Sequence, residues 1–342
     1  MDPIFIIGTE RSGTNLLRLI LDSHSKITIP HPPHIMKLFF GLEPLYGDLG
    51  RDRNFRRLIG DVTGMVHRHP YPWGIVLDRE EIFRKAGERD LLHVYYQIYE
   101  QYRESRNKSR WGCKSTFMMR HVARIRQFWP SAKFIYMVRD CRDVVVSARE
   151  SIFCHYNAYY TARLWKDEQQ VGRYWLQKLS DREIFLLRYE DLLESPEASV
   201  KALCVFLEEP YEEGMLRYFE RSEAKKCSRL SKSWKNTARP IMKDNVLKFL
   251  KRLRPGEIEL VEALAGMELD LFGYELTRPL HLLEGKGKFK PSYYLDELSL
   301  MLVAQAKHLL HDQNISARLR KFWFMKYVTC LRRLQSMFGL NR

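Results

Sequence analysis

The residues best suited to chemistry stand near the start of the chain, in Gly8-Thr9-Glu10-Arg11-Ser12-Gly13-Thr14-Asn15. A glycine loop that ends at a helix N-terminus offers free backbone N–H groups and the positive end of the helix dipole, so it attracts anions. Gly8 permits a sharp turn, and Gly13 lets the backbone approach a ligand closely. The nucleotide P-loop needs Gly, four residues, then Gly-Lys-Ser/Thr. Here Gly8 and Gly13 keep that spacing, but Thr14 replaces the lysine and Asn15 the magnesium-binding hydroxyl. The positive charge lies instead at Arg11, inside the loop. These residues read as a phosphate site.

The elements that must position this loop follow from apolar patterning. Ile4-Phe5-Ile6-Ile7 has the density and β-branching of a buried parallel strand. Leu16, Leu17, Leu19, Ile20 and Leu21 then predict a helix packed on a sheet. Lys26 to Ile29 reads as a second strand. Pro30-His31-Pro32-Pro33-His34 fixes an extended path that holds two imidazoles at a strand exit, where α/β sites form. Leu91 to Arg103, Phe117 to Trp129, Asn157 to Ser180 and Pro196 to Leu207 predict helices. Residues 37–110 form either a helical insertion over the surface or a wall for an acceptor pocket. Lys133 to Val138 is the clearest strand. It delivers Arg139-Asp140-Cys141-Arg142-Asp143 to the same sheet edge as the first loop, and Val144-Val145-Val146-Ser147 starts another helix. A further strand is predicted over Ile184 to Tyr189.

Arg11-Ser12-Gly13-Thr14-Asn15-Leu16-Leu17 after an apolar strand resembles the 5′-phosphosulfate loop of the sulfotransferases that use 3′-phosphoadenosine 5′-phosphosulfate (PAPS). Asn15 departs from the family's usual Thr or Ser, though an amide can still donate to a phosphate oxygen. The strand–Arg-Asp-x-Arg-Asp–Val-Val-Val-Ser pattern resembles the family's second motif, whose Arg and Ser hold the 3′-phosphate. Carried over, these are Arg139 and Ser147. A fixed guanidinium and a hydroxyl can bind one phosphate with charge-assisted bonds; a structural pair of Arg139 with Asp140 or Asp143 is the alternative. Cys141 sits where the family commonly has proline. Leu187-Arg188-Tyr189-Glu190-Asp191-Leu192 resembles the segment whose Tyr lines the nucleotide site. Ser233-Trp234-Lys235-Asn236 resembles the Trp-Lys-Asn end of the nucleotide motif, without its upstream glycines. Lys225, Lys226, Arg229, Lys232 and Lys235 around it either close over the nucleotide or form a solvated basic loop.

The resemblance spans roughly residues 3–275. It implies a P-loop-like three-layer α/β/α fold with a central parallel sheet, helical insertions and a C-terminal helical extension. The implied PAPS-binding residues are Arg11, Ser12, Gly13, Thr14, Asn15, Arg139, Ser147, Tyr189, Trp234 and Lys235, with adenosine 3′,5′-bisphosphate as the product. Sulfuryl transfer should follow the logic of phosphoryl transfer, in line and governed by positioning and electrostatics. No metal is expected, given the altered loop. Arg11 would hold the 5′-phosphosulfate. Lys114, in Trp111-Gly112-Cys113-Lys114, resembles the family's Lys-bearing strand end and would stabilise the leaving oxygen. A hydroxyl acceptor also needs a general base. Imidazole titrates near neutrality, which makes His34 the choice, with His31 close behind and Glu43 as the carboxylate alternative.

Composition bounds the rest. The chain has 342 residues, 45% apolar, and a net charge of +15. That balance suits polyanionic ligands or an anionic membrane surface; no nucleic-acid motif appears, so nucleic acid is not expected. The six cysteines lack metal-ligand spacing and read as reduced thiols. No signal peptide or membrane-spanning run is apparent, which with the resemblance implies a cytoplasmic enzyme. Residues 1–277 read as the sulfotransferase domain and 278–342 as a basic amphipathic extension, with twelve Lys+Arg against four Asp+Glu. Gly285-Lys286-Gly287-Lys288 reads as a linker before helices at Tyr294 to Gln313 and Ala317 to Phe338. On the second, Leu319, Trp323, Tyr327, Cys330, Leu331, Leu334 and Phe338 form a stripe flanked by Arg318, Lys321, Arg332 and Arg333. Such a stripe packs on its own domain, on a second subunit as in a homodimer, or on the inner membrane face. The acceptor is left open among lipid, carbohydrate, small alcohol and peptide. Two other functions compete: an ATP/magnesium-dependent P-loop kinase with Asp140 on the metal, and a non-catalytic nucleotide- or membrane-binding adaptor.

Overall fold

The computed structural model describes residues 2–151, 155–230, 232–311 and 314–340. Its centre is a parallel sheet of β1 (Ile4–Gly8), β2 (Ile27–Thr28), β3 (Arg110–Lys114), β4 (Lys133–Val138) and β5 (Ile184–Arg188), in the order β2-β3-β1-β4-β5. Successive residues of β1 serve opposite faces, as strand geometry dictates. Phe5 and Ile7 join one hydrophobic core, Ile4 and Ile6 the other. The strand is therefore apolar throughout, and helices must cover both faces.

On the Ile4/Ile6 face lie α1 (Thr14–Asp22) and, later in the chain, the helix Pro196–Leu207. The other face is covered by α2 (Asp52–His67), α3 (Leu91–Ser105), α4 (Cys141–Ala148) and α5 (Ala158–Lys178), whose Trp165 is fully buried. Taking Pro196–Leu207 as α6, the chain continues through α7 (Ser222–Leu230), α8 (Pro255–Leu271), α9 (Pro291–His311) and α10 (Ile315–Met337). This is the three-layer α/β/α arrangement that the sequence predicts. Because every strand is parallel, the loops after β1, β3, β4 and β5 emerge at one edge. There Gly8 pairs with Met137 and Val138 with Arg188, which sets the first loop, Arg139 and Tyr189 side by side.

Three local expectations are corrected. Phe117 to Trp129 is not one helix but a 3₁₀ turn, Thr116–His121, followed by a short α-helix, Val122–Phe128. The Trp175 indole donates to the Met119 carbonyl at 3.2 Å, taking an acceptor that a continuous helix would use itself. Gly285 to Lys288 is not a free linker, since Leu283 is buried and Lys286 pairs with Glu259 of α8 at 2.7 Å. The apolar stripe of α10 does not pack on its own domain. Trp323, Tyr327 and Phe338 are 66%, 62% and 70% exposed, while the face that docks carries Phe324, Met325, Val328 and Arg332. Two of the basic residues expected to flank the stripe therefore point inward: Arg332 pairs with Asp61 at 2.7 Å and Lys321 donates to the Pro33 carbonyl.

Candidate active site

At the carboxyl edge of the sheet a cavity of about 850 Å³ opens. Its first wall is the loop after β1. Gly8 has φ +141° and Gly13 φ +92°, backbone that side chains rarely adopt. A Cβ on Gly8 would fall 2.2 Å from the Met137 carbonyl oxygen, and one on Gly13 would fall 2.3 Å from the Tyr189 ring. Glycine at both positions is thus a packing requirement as well as a turn requirement. Arg11 reaches across to α4, where its Nε donates to Ser147 Oγ at 3.1 Å. The cation of the first motif and the hydroxyl of the second are in direct contact.

Arg139, at the end of β4, is buried. Its Nη1 donates to the Arg11 carbonyl at 3.2 Å and its Nη2 to the Asn245 carbonyl at 2.9 Å. The guanidinium lies 4.3 Å from the Tyr189 ring centroid, and Asp143 approaches at 3.5 Å. Arg139 Nε is buried with no hydrogen-bond partner, an orphaned donor at the cavity wall. Arg139 thus faces the cavity and also pairs with Asp143. Asp140 does neither. It caps α4 through the Arg142 N–H, and both its oxygens accept from the Arg142 guanidinium, which also binds Glu262. A metal-ligand role for Asp140, as the kinase reading requires, is not available in this arrangement.

The second half of the cavity is lined by the proline segment. His34 has φ +61°, its Nδ1 lies 3.3 Å from Ser115 Oγ, and Phe117 meets its ring edge-on. Burial, reinforced by Lys114 and Lys321, lowers its pKa well below the ordinary imidazole value. That direction favours the neutral ring. His31 is more enclosed: it stacks on Tyr71 at 4.6 Å, meets Trp234 edge-on at 4.8 Å, and both ring nitrogens are buried without a partner. Glu43 lies elsewhere, accepting from the Leu91 N–H and pairing with Arg124, so it drops out as a base. Lys114, at the end of β3, is brought down to about 8, mainly by burial and then by nearby Arg18.

Of the residues singled out from sequence, Arg11, Gly13, Thr14, Asn15, His34, Lys114, Arg139, Ser147, Tyr189, Trp234 and Lys235 line this one cavity. Ser12 does not: it is fully buried, and its N–H closes a turn onto the Thr9 carbonyl. Asn15 lines the cavity but is also committed, its Oδ1 accepting from Arg18 and its Nδ2 donating to Cys227 Sγ. Lys225, Lys226 and Arg229 are exposed on α7 and outside the lining, so they belong to a solvated face. The side chains of Lys232 and Ser233, and Cys154 altogether, lie outside the described residues.

Sequence reasoning missed several wall residues. Asn245 was one: its amide meets the Tyr189 hydroxyl. Others were His69 and, from α10, Arg318, Lys321, Phe322 and Met325. It also missed Arg18, fully buried and paired with Glu223 of α7 at 3.1 Å. A lone charge inside Leu16-Leu17-Arg18-Leu19-Ile20-Leu21 was the available signal, because such a charge must find a buried partner.

Comparison with known proteins identifies the family and the fold. Residues 3–213 match the model of the sulfotransferase family. Protein-tyrosine sulfotransferase 1 of Danio rerio is 25% identical over 282 residues, which is 80% of this chain and 73% of that protein. A protein of Aquifex aeolicus (strain VF5) is 25% identical over 231 residues, 64% of this chain but only 27% of the relative's length. Among solved structures, the sulfotransferase domain from the curacin biosynthetic pathway superposes with TM-score 0.55 at 17% identity, covering 80% of this chain and 98% of the other. The sulfotransferase domain of the Synechococcus PCC 7002 olefin synthase gives 0.56 at 18%, with 81% and 96% covered. The structural likeness establishes the shared fold. Since the family match spans more than half of its length, the chain belongs to the sulfotransferase family.

Proposed function

We propose that this sulfotransferase moves the sulfuryl group of PAPS to a hydroxyl acceptor, in line and without a metal, with His34 as general base. The observation that carries the reading is the Arg11–Ser147 contact beside Arg139, at one end of a cavity whose other end holds a neutral imidazole. PAPS would supply an activated sulfuryl group on a good leaving phosphate. The residues present fit it: Arg139 Nε is a buried donor without a partner at the cavity wall, and Arg11 and Ser147 stand beside it. Arg139 and Ser147 would hold the 3′-phosphate, Tyr189 and Trp234 the purine end, and Lys235 would lie over the nucleotide at the rim. Arg11 and the loop N–H groups would hold the 5′ end, and Lys114 would offer a proton or charge to the departing oxygen. His34 would take the acceptor's proton, with Ser115 Oγ orienting its other nitrogen.

In the same proposal residues 1–277 are the catalytic domain, residues 278–342 are an extension docked on it, and the enzyme works in the cytoplasm. The exposed Trp323, Tyr327 and Phe338, with Arg320, Lys326 and Arg333 also exposed, favour attachment of the extension to an anionic membrane over pairing with a second copy. Flotation with anionic against neutral vesicles tests this, and equal flotation would end it.

The donor reading is tested by thermal unfolding with adenosine 3′,5′-bisphosphate, with 5′-AMP and Mg-ATP as controls, and then on Arg139→Ala. Ligand at 100 times its dissociation constant adds about 2.7 kcal/mol. A shift specific to the bisphosphate and cut sharply in the variant supports the assignment. A shift with Mg-ATP alone would replace it with the kinase reading, and binding without transfer to any acceptor would leave an adaptor.

A further inference from the structure

The far end of the cavity carries more positive charge than the donor at the other end needs. Lys321 of α10 donates to the Pro33 carbonyl at 3.3 Å, which seats its ammonium beside the segment that presents His34. Across from it Lys37 lies 3.6 Å over the Phe117 ring. Two of the carboxylates in the lining are engaged elsewhere, Asp143 with the Phe249 N–H and Arg139, and Glu150 with Arg252. Glu10 acts on Lys37 and Lys114, but among the described residues no carboxylate pairs with Lys321. Burial and the neighbouring Lys37 bring Lys321 down to about 8, the mark of a cation that lacks a counter-ion. Phe322 and Met325 beside it complete an apolar flank.

We propose that the acceptor bears an anionic group, a carboxylate or phosphate, as well as its hydroxyl, and that α10 supplies the seat for that group through Lys321, with Lys37 facing it. This rests on the sulfuryl-transfer reading for the hydroxyl but not for the anion. Lys321 is then a specificity residue contributed from outside the matched family region, which ends at residue 213.

The test uses the full chain saturated with adenosine 3′,5′-bisphosphate, so that the donor's phosphate sites are filled. Thermal unfolding is followed with 4-hydroxyphenyl phosphate, 4-hydroxybenzyl alcohol and 4-hydroxybenzylamine. The phosphate probe is expected to give an added shift that the alcohol and amine do not. Lys321→Met should weaken the probe about tenfold or more, Lys321→Arg should restore it, and the bisphosphate shift should persist in both. Equal shifts from all three phenols, or an undiminished shift in Lys321→Met, would overturn the proposal. If the bisphosphate itself gives no shift, the donor reading fails, and the phenol series without it still reads the anion seat. Flotation with phosphatidylglycerol against phosphatidylcholine vesicles separates the sources. Flotation that depends on both phosphatidylglycerol and Lys321 assigns a lipid headgroup, and a probe shift without it assigns a soluble acceptor.

Discussion

Arg18 on α1 and Glu223 on α7 form an ion pair at 3.1 Å, with the Arg18 side chain fully buried. Arg18 also donates to the Ile29 carbonyl and to Asn15 Oδ1, and the Tyr71 hydroxyl closes onto the Glu223 carbonyl. One guanidinium thereby ties the phosphate loop, the proline segment and the helix leading to Trp234 into a single unit.

Replacing Glu223 leaves that buried guanidinium without its direct ion-pair partner, with Asp22 as a more distant negative charge. Glu223→Gln is expected to cost about 3 kcal/mol of stability. Because α7 leads into the Trp234 wall, bisphosphate affinity should fall as well. Chemical denaturation and calorimetric titration read the two effects; unchanged stability would mean that α7 is held by other contacts.

Arg139→Ala removes a charge-assisted donor and strips Asp143 of its partner. Bisphosphate binding should weaken by about 2 kcal/mol, roughly 30-fold. Arg139→Lys should recover little, since a point charge cannot span the Arg11 and Asn245 carbonyls together. Calorimetry of both variants measures this.

Gly13→Ala places a methyl group in the Tyr189 ring on backbone of positive φ. A loss of about 1–3 kcal/mol follows from the backbone alone. The displaced ring should carry Arg139 with it and abolish the bisphosphate shift, which a thermal scan of the variant would show.

The pH dependence follows from two depressed groups. Lys114 must keep its proton to act, so kcat/KM should fall as pH rises through about 8. His34 must be neutral, and burial holds its pKa well below the ordinary imidazole value, so activity should persist as pH falls through the ordinary imidazole range. Lys114→Met should erase the alkaline limb and lower the plateau. An acid limb centred at the ordinary imidazole value would instead point to a solvated base.

The half of the cavity built from the loops after β1 and β4 was legible in sequence because it is local. An apolar strand, a glycine and the next few residues fix a loop, and parallel order brings several such loops to one edge. The loops could be placed from that pattern alone, whereas the choice of Tyr189 and Ser147 on them came from the family resemblance. The half lined by α10 was not legible in the same way. Lys321 and Phe322 reach the cavity from a helix far along the chain, and its most apolar stripe, with Trp323 and Tyr327, misled by facing outward. What docks α10 is instead a smaller apolar set, Phe324, Met325 and Val328, with a polar anchor, Arg332 on Asp61, whose carboxylate the Tyr46 hydroxyl shares. No periodicity announces a single pair of charges.

That anchor gives a further test. Arg332→Met should free α10, so that trypsin cuts within 278–342 sooner, while the bisphosphate shift stays as it was. Unchanged digestion would show that Phe324, Met325 and Val328 hold the helix alone.

The position of β1 has a consequence for biogenesis. Its two neighbours are β3 and β4, so Ile4 must wait for Gly112 and Lys133 to be made before either side is paired. At ordinary elongation rates that leaves four bare apolar residues waiting on the order of ten seconds. Closing spans of more than a hundred residues is also slow for the released chain, because loop entropy is lost before any contact repays it. The strand at the centre of the sheet is therefore the first made, and it is paired on both sides only once β4 has been synthesised.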